Sequence, residues 1–182
     1  GRWFWPFLDI MRFGVVSVVT NSLLTVLLEV LGNMLLIDLF EIKNKRVIFI
    51  MGAVFIVSPL TCNMLSYCYM SPTFASAYLL SVGAVCCILK IPNIWLAGLT
   101  GGILVACSMG NYQAYLGVTC ILLLFFLLKQ IMNQCECKEI FKTVMRSAAA
   151  VIWGGMLYQF ITSLMLKLYS ETMTDYKGID QV

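Results

Sequence analysis

The stretch Asn93–Lys129, NIWLAGLTGGILVACSMGNYQAYLGVTCILLLFFLLK, decides how this chain is read. It holds two apolar runs, Asn93–Met109 and Tyr112–Leu128, with a polar hairpin between them. Each run has about 17 residues, the short end of what crosses a hydrocarbon core of about 30 Å. Lipid offers the backbone no hydrogen bonds, so two such runs joined by a few turn residues read as an antiparallel pair of transmembrane helices. The hairpin GNYQAYLG, Gly110–Gly117, carries an asparagine, a glutamine and two tyrosines. These are more donors and acceptors than a tight turn requires.

Similar apolar runs recur on either side of this pair. The 182 residues are 61% hydrophobic and 12% charged, against about 25% charged in soluble domains. Mean hydropathy is +0.92. A bilayer can absorb that much apolar surface and a soluble core cannot, so the expected class is an all-α integral membrane protein. Six spans are expected: Val15–Ile37, Val47–Tyr67 with a kink at Pro59, Thr73–Leu89, Asn93–Met109, Tyr112–Leu128 and Ser147–Tyr169. They make one polytopic membrane domain over residues 1–182, with no soluble domain, linker, repeat or low-complexity tract. The net charge of +3 is small and its cations are scattered in short loops, which suits membrane topology and not nucleic-acid binding.

The loops set an expected orientation. Lys43, Lys45, Arg46, Lys90, Lys129, Lys138, Lys142 and Arg146 lie on one side. Arg2, Arg12, Lys167 and Lys177 lie on the other, where the hairpins YCYMSP and SMGNYQAY hold no cation. The excess of Lys and Arg marks the cytoplasmic side. Both ends of the chain and GNYQAYLG then face outward. Four segments share that outer face: GRWFWPFLD, YCYMSP, GNYQAY and ETMTDYKGIDQV.

The chemistry available is restricted. There is no histidine, so acid–base work falls to nine carboxylates. Cys62, Cys86, Cys87, Cys107 and Cys120 fall in apolar runs and read as small buried hydrophobes. Cys135 and Cys137 form a C-x-C, short of the four ligands a structural zinc needs. No cofactor motif is evident, and a divalent metal requirement is left open. The chain begins at Gly1 and ends at Val182 inside polar segments, and is read as a fragment of a longer protein, the alternative being a trimmed chain.

Several constellations admit two readings each. Asn21, Thr25, Glu29 and Asn33 recur every four residues and make a polar stripe on one helix face. They are either interhelical glue or the wall of a polar crevice. Gly98, Gly102, Ala106 and Gly110, and Ala150 with Gly154, are small-xxx-small rows that let another helix approach. GRWFWP is either an interfacial aromatic belt or a surface for sugar and phosphate. Asn111, Tyr112, Gln113 and Tyr115 are either a polar turn with belt tyrosines or part of a ligand site. Glu171, Asp175, Tyr176, Lys177 and Asp180 are either a solvated tail or a source of general bases.

Taken in order, GRWFWPFLDIMRFG (Gly1–Gly14), SPLTCNML (Ser58–Leu65), MGNYQAYLGV (Met109–Val118) and TDYKGID (Thr174–Asp180) resemble the bacterial serotype-converting glucosyl transferases of the Gtr type II family. The likeness covers nearly the whole chain. It implies a polytopic enzyme of the C-type glycosyltransferase class, of which this chain is part of a larger helical bundle. Such an enzyme takes a sugar from a polyprenyl-phosphate carrier and adds it to a surface polysaccharide, such as an O-antigen, or to its lipid-linked oligosaccharide precursor. The chemistry would occur on the outer face, in agreement with the loop charges.

The residues that match the family motifs are Gly1, Arg2, Trp3, Asn111, Tyr112, Gln113, Tyr115, Asp175 and Tyr176. The resemblance makes them candidates for donor or acceptor binding. It also implies an acidic loop upstream of Gly1, so no catalytic base is assigned, Asp9 being the nearest acid, and the fragment alone is expected to be inactive. Arg2 is the candidate for the lipid phosphate, and Tyr112 and Gln113 for sugar hydroxyls. Three competing readings stand beside this one. A transporter or lipid-linked-sugar flippase would use the Asn21–Glu29–Asn33 stripe and should show broken helices or repeats. A polysaccharide polymerase should show a large outer loop rich in arginine. A purely structural subunit leaves the one-sided polar loops unexplained.

Overall fold

The computed structural model describes residues 3, 4, 6, 17–67 and 69–168. Among these residues the chain forms seven helices and no strand. They are α1 (Val18–Phe40), α2 (Lys45–Val57), α3 (Pro59–Ser66), α4 (Ser71–Lys90), α5 (Ile94–Asn111), α6 (Tyr115–Met132) and α7 (Cys137–Leu168). Five of them, α1 and α4 to α7, are long and apolar enough to cross a membrane. The bundle wears its apolar side chains outside: Phe49, Val57, Trp95, Met132 and Phe160 are all exposed. Water would penalise such a surface, and lipid tails accept it. The same exposure corrects the expected burial of the cysteines. Cys62 is exposed, and Cys86, Cys87, Cys107 and Cys120 are only half-buried, because apolarity along a span does not distinguish a lipid-facing side from a packed one.

The span expected at Val47–Tyr67 exists as two pieces, and the kink expected at Pro59 is a full break. Ser58 is extended, with φ −62° and ψ 136°, and Pro59 opens α3 in its first turn. Proline fits there because its missing N–H has no intrahelical partner at that position anyway. Ser58 Oγ accepts the Thr61 N–H at 3.2 Å, and Thr61 Oγ1 donates to the Phe55 carbonyl at 2.8 Å, so each side of the break satisfies the other. Removing this cap in Ser58→Ala is expected to cost about 1 kcal/mol. Unfolding of the purified protein in mixed micelles measures it, and an unchanged midpoint would mean the cap contributes nothing.

The last span also starts earlier than its apolar run suggests, at Cys137 and not Ser147. Its first turns carry Lys138, Glu139 and Lys142 and extend the helix beyond the apolar stretch.

The core is built on α4, which touches α1, α3, α5, α6 and α7. Its sequence explains this centrality. Ser71, Ala75, Ser76, Ala77, Ser81 and Ala84 are all buried, and small side chains let neighbouring backbones come close. On one flank lies α1, on the other α5, and α5 in turn packs along α7. The α5–α7 contact is backbone to backbone. A Cβ on Gly154 would sit 2.8 Å from the Gly102 carbonyl, and one on Gly102 would sit 3.3 Å from the Gly154 nitrogen. Ala106 is buried in the same row. Gly98, at the other end of it, meets nothing within 4 Å and takes no part.

Alternation of the helices gathers most of the charges among the described residues at one end, Lys167 in the last turn of α7 lying at the other. Lys90 pairs with Asp38, Lys129 donates to Glu41 at 3.3 Å and to the Phe40 carbonyl at 3.1 Å, and Arg146 donates to the Ile91 carbonyl. The loops at 41–44, 91–93 and 133–136 lie at this basic end. Tyr67, Tyr69, Met70 and the hairpin at 112–114 lie at the opposite end.

Candidate functional site

At the end opposite the cations, α3, the start of α4, the hairpin and the start of α6 enclose a cleft of about 560 Å³. Its wall is aromatic. Phe74 from α4 meets Tyr112 edge-on at 5.1 Å between ring centroids, and Tyr112 meets Tyr115 at 6.2 Å. Tyr67 caps α3 and closes another side. Tyr115 donates its hydroxyl to the Met64 sulfur at 3.7 Å, tying α6 to α3. Asn63, on the exposed side of α3, adds an amide to the rim. The break at Ser58 sets the direction of α3 and so places Asn63 and Met64 on this cleft.

The hairpin residues divide between two tasks. Tyr112 and Tyr115 line the cleft. Asn111 is 0% exposed and donates its amide to Ser76 Oγ on α4 at 3.1 Å. Gln113 donates to the hydroxyl of Tyr158 on α7, a side chain only 1% exposed. Asn111 and Gln113 therefore fasten the hairpin to two helices. A serine node below does the same for α6. Ser108 Oγ donates to the Ala77 carbonyl at 2.8 Å, and Ser81 Oγ donates to the Tyr115 carbonyl at 3.2 Å.

Trp3 packs against the end of α5 at Gly110. A Cβ on Gly110 would fall 2.7 Å from its indole ring, and the Phe4 N–H donates to the Gly110 carbonyl at 3.2 Å. Only glycine at 110 leaves room for that ring. Gly1, Arg2, Asp9, Glu171, Asp175, Tyr176, Lys177 and Asp180 lie outside the described residues.

The stripe on α1 faces α4. Asn21, Thr25 and Glu29 are buried, and Thr25 Oγ1 lies 3.0 Å from Ser71 Oγ. Asn33 Oδ1 accepts the Tyr78 hydroxyl at 2.9 Å. Glu29 is 5% exposed, and its Oε1 has no hydrogen-bond partner.

Reading the sequence alone did not single out Asn63, Tyr67 or Phe74. Asn63 lies in SPLTCNML and Tyr67 in YCYMSP, both noted as segments. The signal for Phe74 was absent, because one aromatic at the head of an apolar run has nothing to mark it.

A helical bundle with an apolar exterior, one basic end and an aromatic cleft at the other defines a polytopic membrane protein with a ligand-sized site. The chain belongs to the glucosyl transferase GtrII family, whose model matches residues 1–182. It is accordingly a membrane-associated glycosyltransferase in class. No curated protein and no solved structure matches the chain.

Proposed function

We propose that the protein transfers glucose from a polyprenyl-phosphate carrier to a cell-surface polysaccharide or its lipid-linked precursor, on the outer face of the cytoplasmic membrane. The observation that carries this reading is the cleft of Tyr67, Phe74, Tyr112, Tyr115 and Asn63 at the end opposite the cations. Aromatic faces suit the C–H surfaces of a sugar, and an amide suits its hydroxyls. With the basic end in the cytoplasm, the cleft opens outward.

The reaction is a displacement at the anomeric carbon. The acceptor oxygen forms the new bond, its proton passes to a carboxylate, and the old C–O bond breaks with its electron pair going to the carrier phosphate. Tyr112 and Asn63 hold the sugar. Gln113 has committed its amide nitrogen to Tyr158, so it orients the hairpin in this reading. Arg2 steadies the departing phosphate.

The test uses the full-length protein in membranes, radiolabelled polyprenyl-phosphate glucose and a lipid-linked polysaccharide acceptor. Tyr112→Ala and Asn63→Ala are each expected to lower transfer about tenfold, the loss of one hydrogen bond of roughly 1–1.5 kcal/mol. Full transfer by both variants would remove the cleft from the site. A second reading, a flippase, draws on the broken span at Ser58, since discontinuous helices are a transporter device. Labelled carrier that crosses the membrane unconsumed would put that reading first.

A further inference from the structure

One hydrogen bond in the cleft is poorly matched. Tyr115 donates its hydroxyl to the Met64 sulfur at 3.7 Å. A thioether is a weak acceptor, and an O–H bonded to oxygen closes to about 2.7–2.8 Å. The rest of Tyr115 is fixed. Its carbonyl accepts the Ser81 hydroxyl at 3.2 Å, and its N–H donates to the Tyr112 carbonyl at 3.1 Å. The Tyr112 ring packs edge-on against its ring at 6.2 Å. Backbone and ring are thus held in place, while the one side-chain donor is spent on a sulfur.

Met64 is the partner that can move. α3 is anchored at both ends. Ser58 caps its start, and the Tyr67 carbonyl accepts the Met70 and Ser71 N–H groups at 2.8 and 2.9 Å. The helix stays and the side chain can turn, because methionine is unbranched with three rotatable bonds. Met64 and Tyr115 both line the cleft.

The chemistry of the lining selects what would replace the sulfur. No charged side chain is among the described residues that line the cleft, so a phosphate seated there would lack a counter-charge. A sugar oxygen needs none and accepts more strongly than a thioether. Resting on the sugar-transfer reading, we propose that Tyr115 binds the sugar and that Met64 occupies its hydroxyl while the cleft is empty. The hexosyl group of the carrier-linked donor takes the Tyr115 O–H, and the Met64 thioether turns away.

Exchange at Met64 tests this in the full-length protein, in membranes, with polyprenyl-phosphate glucose as donor. Met64→Leu removes the acceptor and keeps the volume, and is expected to lower the donor KM about twofold, the release of a weak hydrogen bond. Met64→Gln offers an amide oxygen that holds the hydroxyl more firmly, and should raise KM about fivefold. Tyr115→Phe should also raise KM about fivefold, and in that background neither Met64 exchange should move KM further. Polyprenyl phosphate without its sugar, added as a competitor, should inhibit every variant alike. KM unmoved by Met64 exchange, shifted the same way by Leu and Gln, or shifted as much without the Tyr115 hydroxyl overturns the proposal and leaves the sugar-transfer reading standing. Inhibition by the sugar-free carrier that follows the KM pattern overturns it as well, because the hydroxyl would then hold phosphate. No transfer by the unaltered protein overturns the sugar-transfer reading and this proposal with it. A melting temperature close to that of the unaltered protein confirms that each variant is folded.

Discussion

Gly154→Val is expected to destabilise the bundle by about 3 kcal/mol, the upper end of the cost of overpacking a tight interface. The reason is what the new side chain would meet. Its Cβ would lie 2.8 Å from the Gly102 carbonyl oxygen and 2.8 Å from the Val105 Cβ. A carbonyl on a packed helix cannot swing aside as a side-chain tip can, so α5 and α7 must separate along their length. Gly155 is the internal control, because nothing lies within 4 Å of its added Cβ. Gly155→Val should be neutral or slightly stabilising, by less than about 1 kcal/mol, because even a β-branched residue has a higher helix propensity than glycine. Unfolding of the two variants side by side in mixed micelles makes the measurement. Equal losses would mean that the close contact is not what holds α7.

Glu29→Leu is expected to act in the opposite direction and raise stability by about 1–3 kcal/mol, the typical cost of a buried polar group left without a partner. Glu29 is buried on the face of α1 that packs on α4, and its Oε1 is unsatisfied. An apolar residue of similar size removes that cost and keeps the volume. Glu29→Gln, which keeps the polar group, should stay near the original stability. A drop in stability with Leu would show that the carboxyl is a net contributor to the seam. Transfer by the same variants of the full-length protein separates the two meanings of the stripe. A more stable protein that has lost transfer marks a residue kept for function at the expense of the fold. One that transfers normally marks a seam residue only.

These two positions show how differently the sequence speaks about packing and about partners. The row Gly98, Gly102, Ala106 and Gly110 announced a close approach through its spacing. Which members make one could not be read from spacing: Gly102 meets Gly154, Gly110 meets Trp3, and Gly98 meets nothing. The stripe on α1 was visible through its period of four. That it faces α4 depends on Ser71 and Tyr78, which are 46 and 45 residues away from their partners on α1. The break at Ser58 was foreshadowed by Pro59, but a proline inside a span bends some helices and divides others. Thr61 and Phe55 completed the division by bonding across it.

Apolar runs and loop charges were enough to establish a helical membrane chain with most of its Lys and Arg at one end. Lipid tests each stretch for apolarity and length, and both are properties of the stretch alone. Tertiary structure decided the rest of GNYQAYLG. Asn111 and Gln113 turn toward Ser76 and Tyr158, 35 and 45 residues distant, while Tyr112 and Tyr115 turn into the cleft. Four polar residues within five positions carry the same donors and acceptors wherever they point. Only the buried partners on α4 and α7, each costly to leave unpaired in a water-poor bundle, select which of the four are tied to the neighbouring helices and which line the cleft.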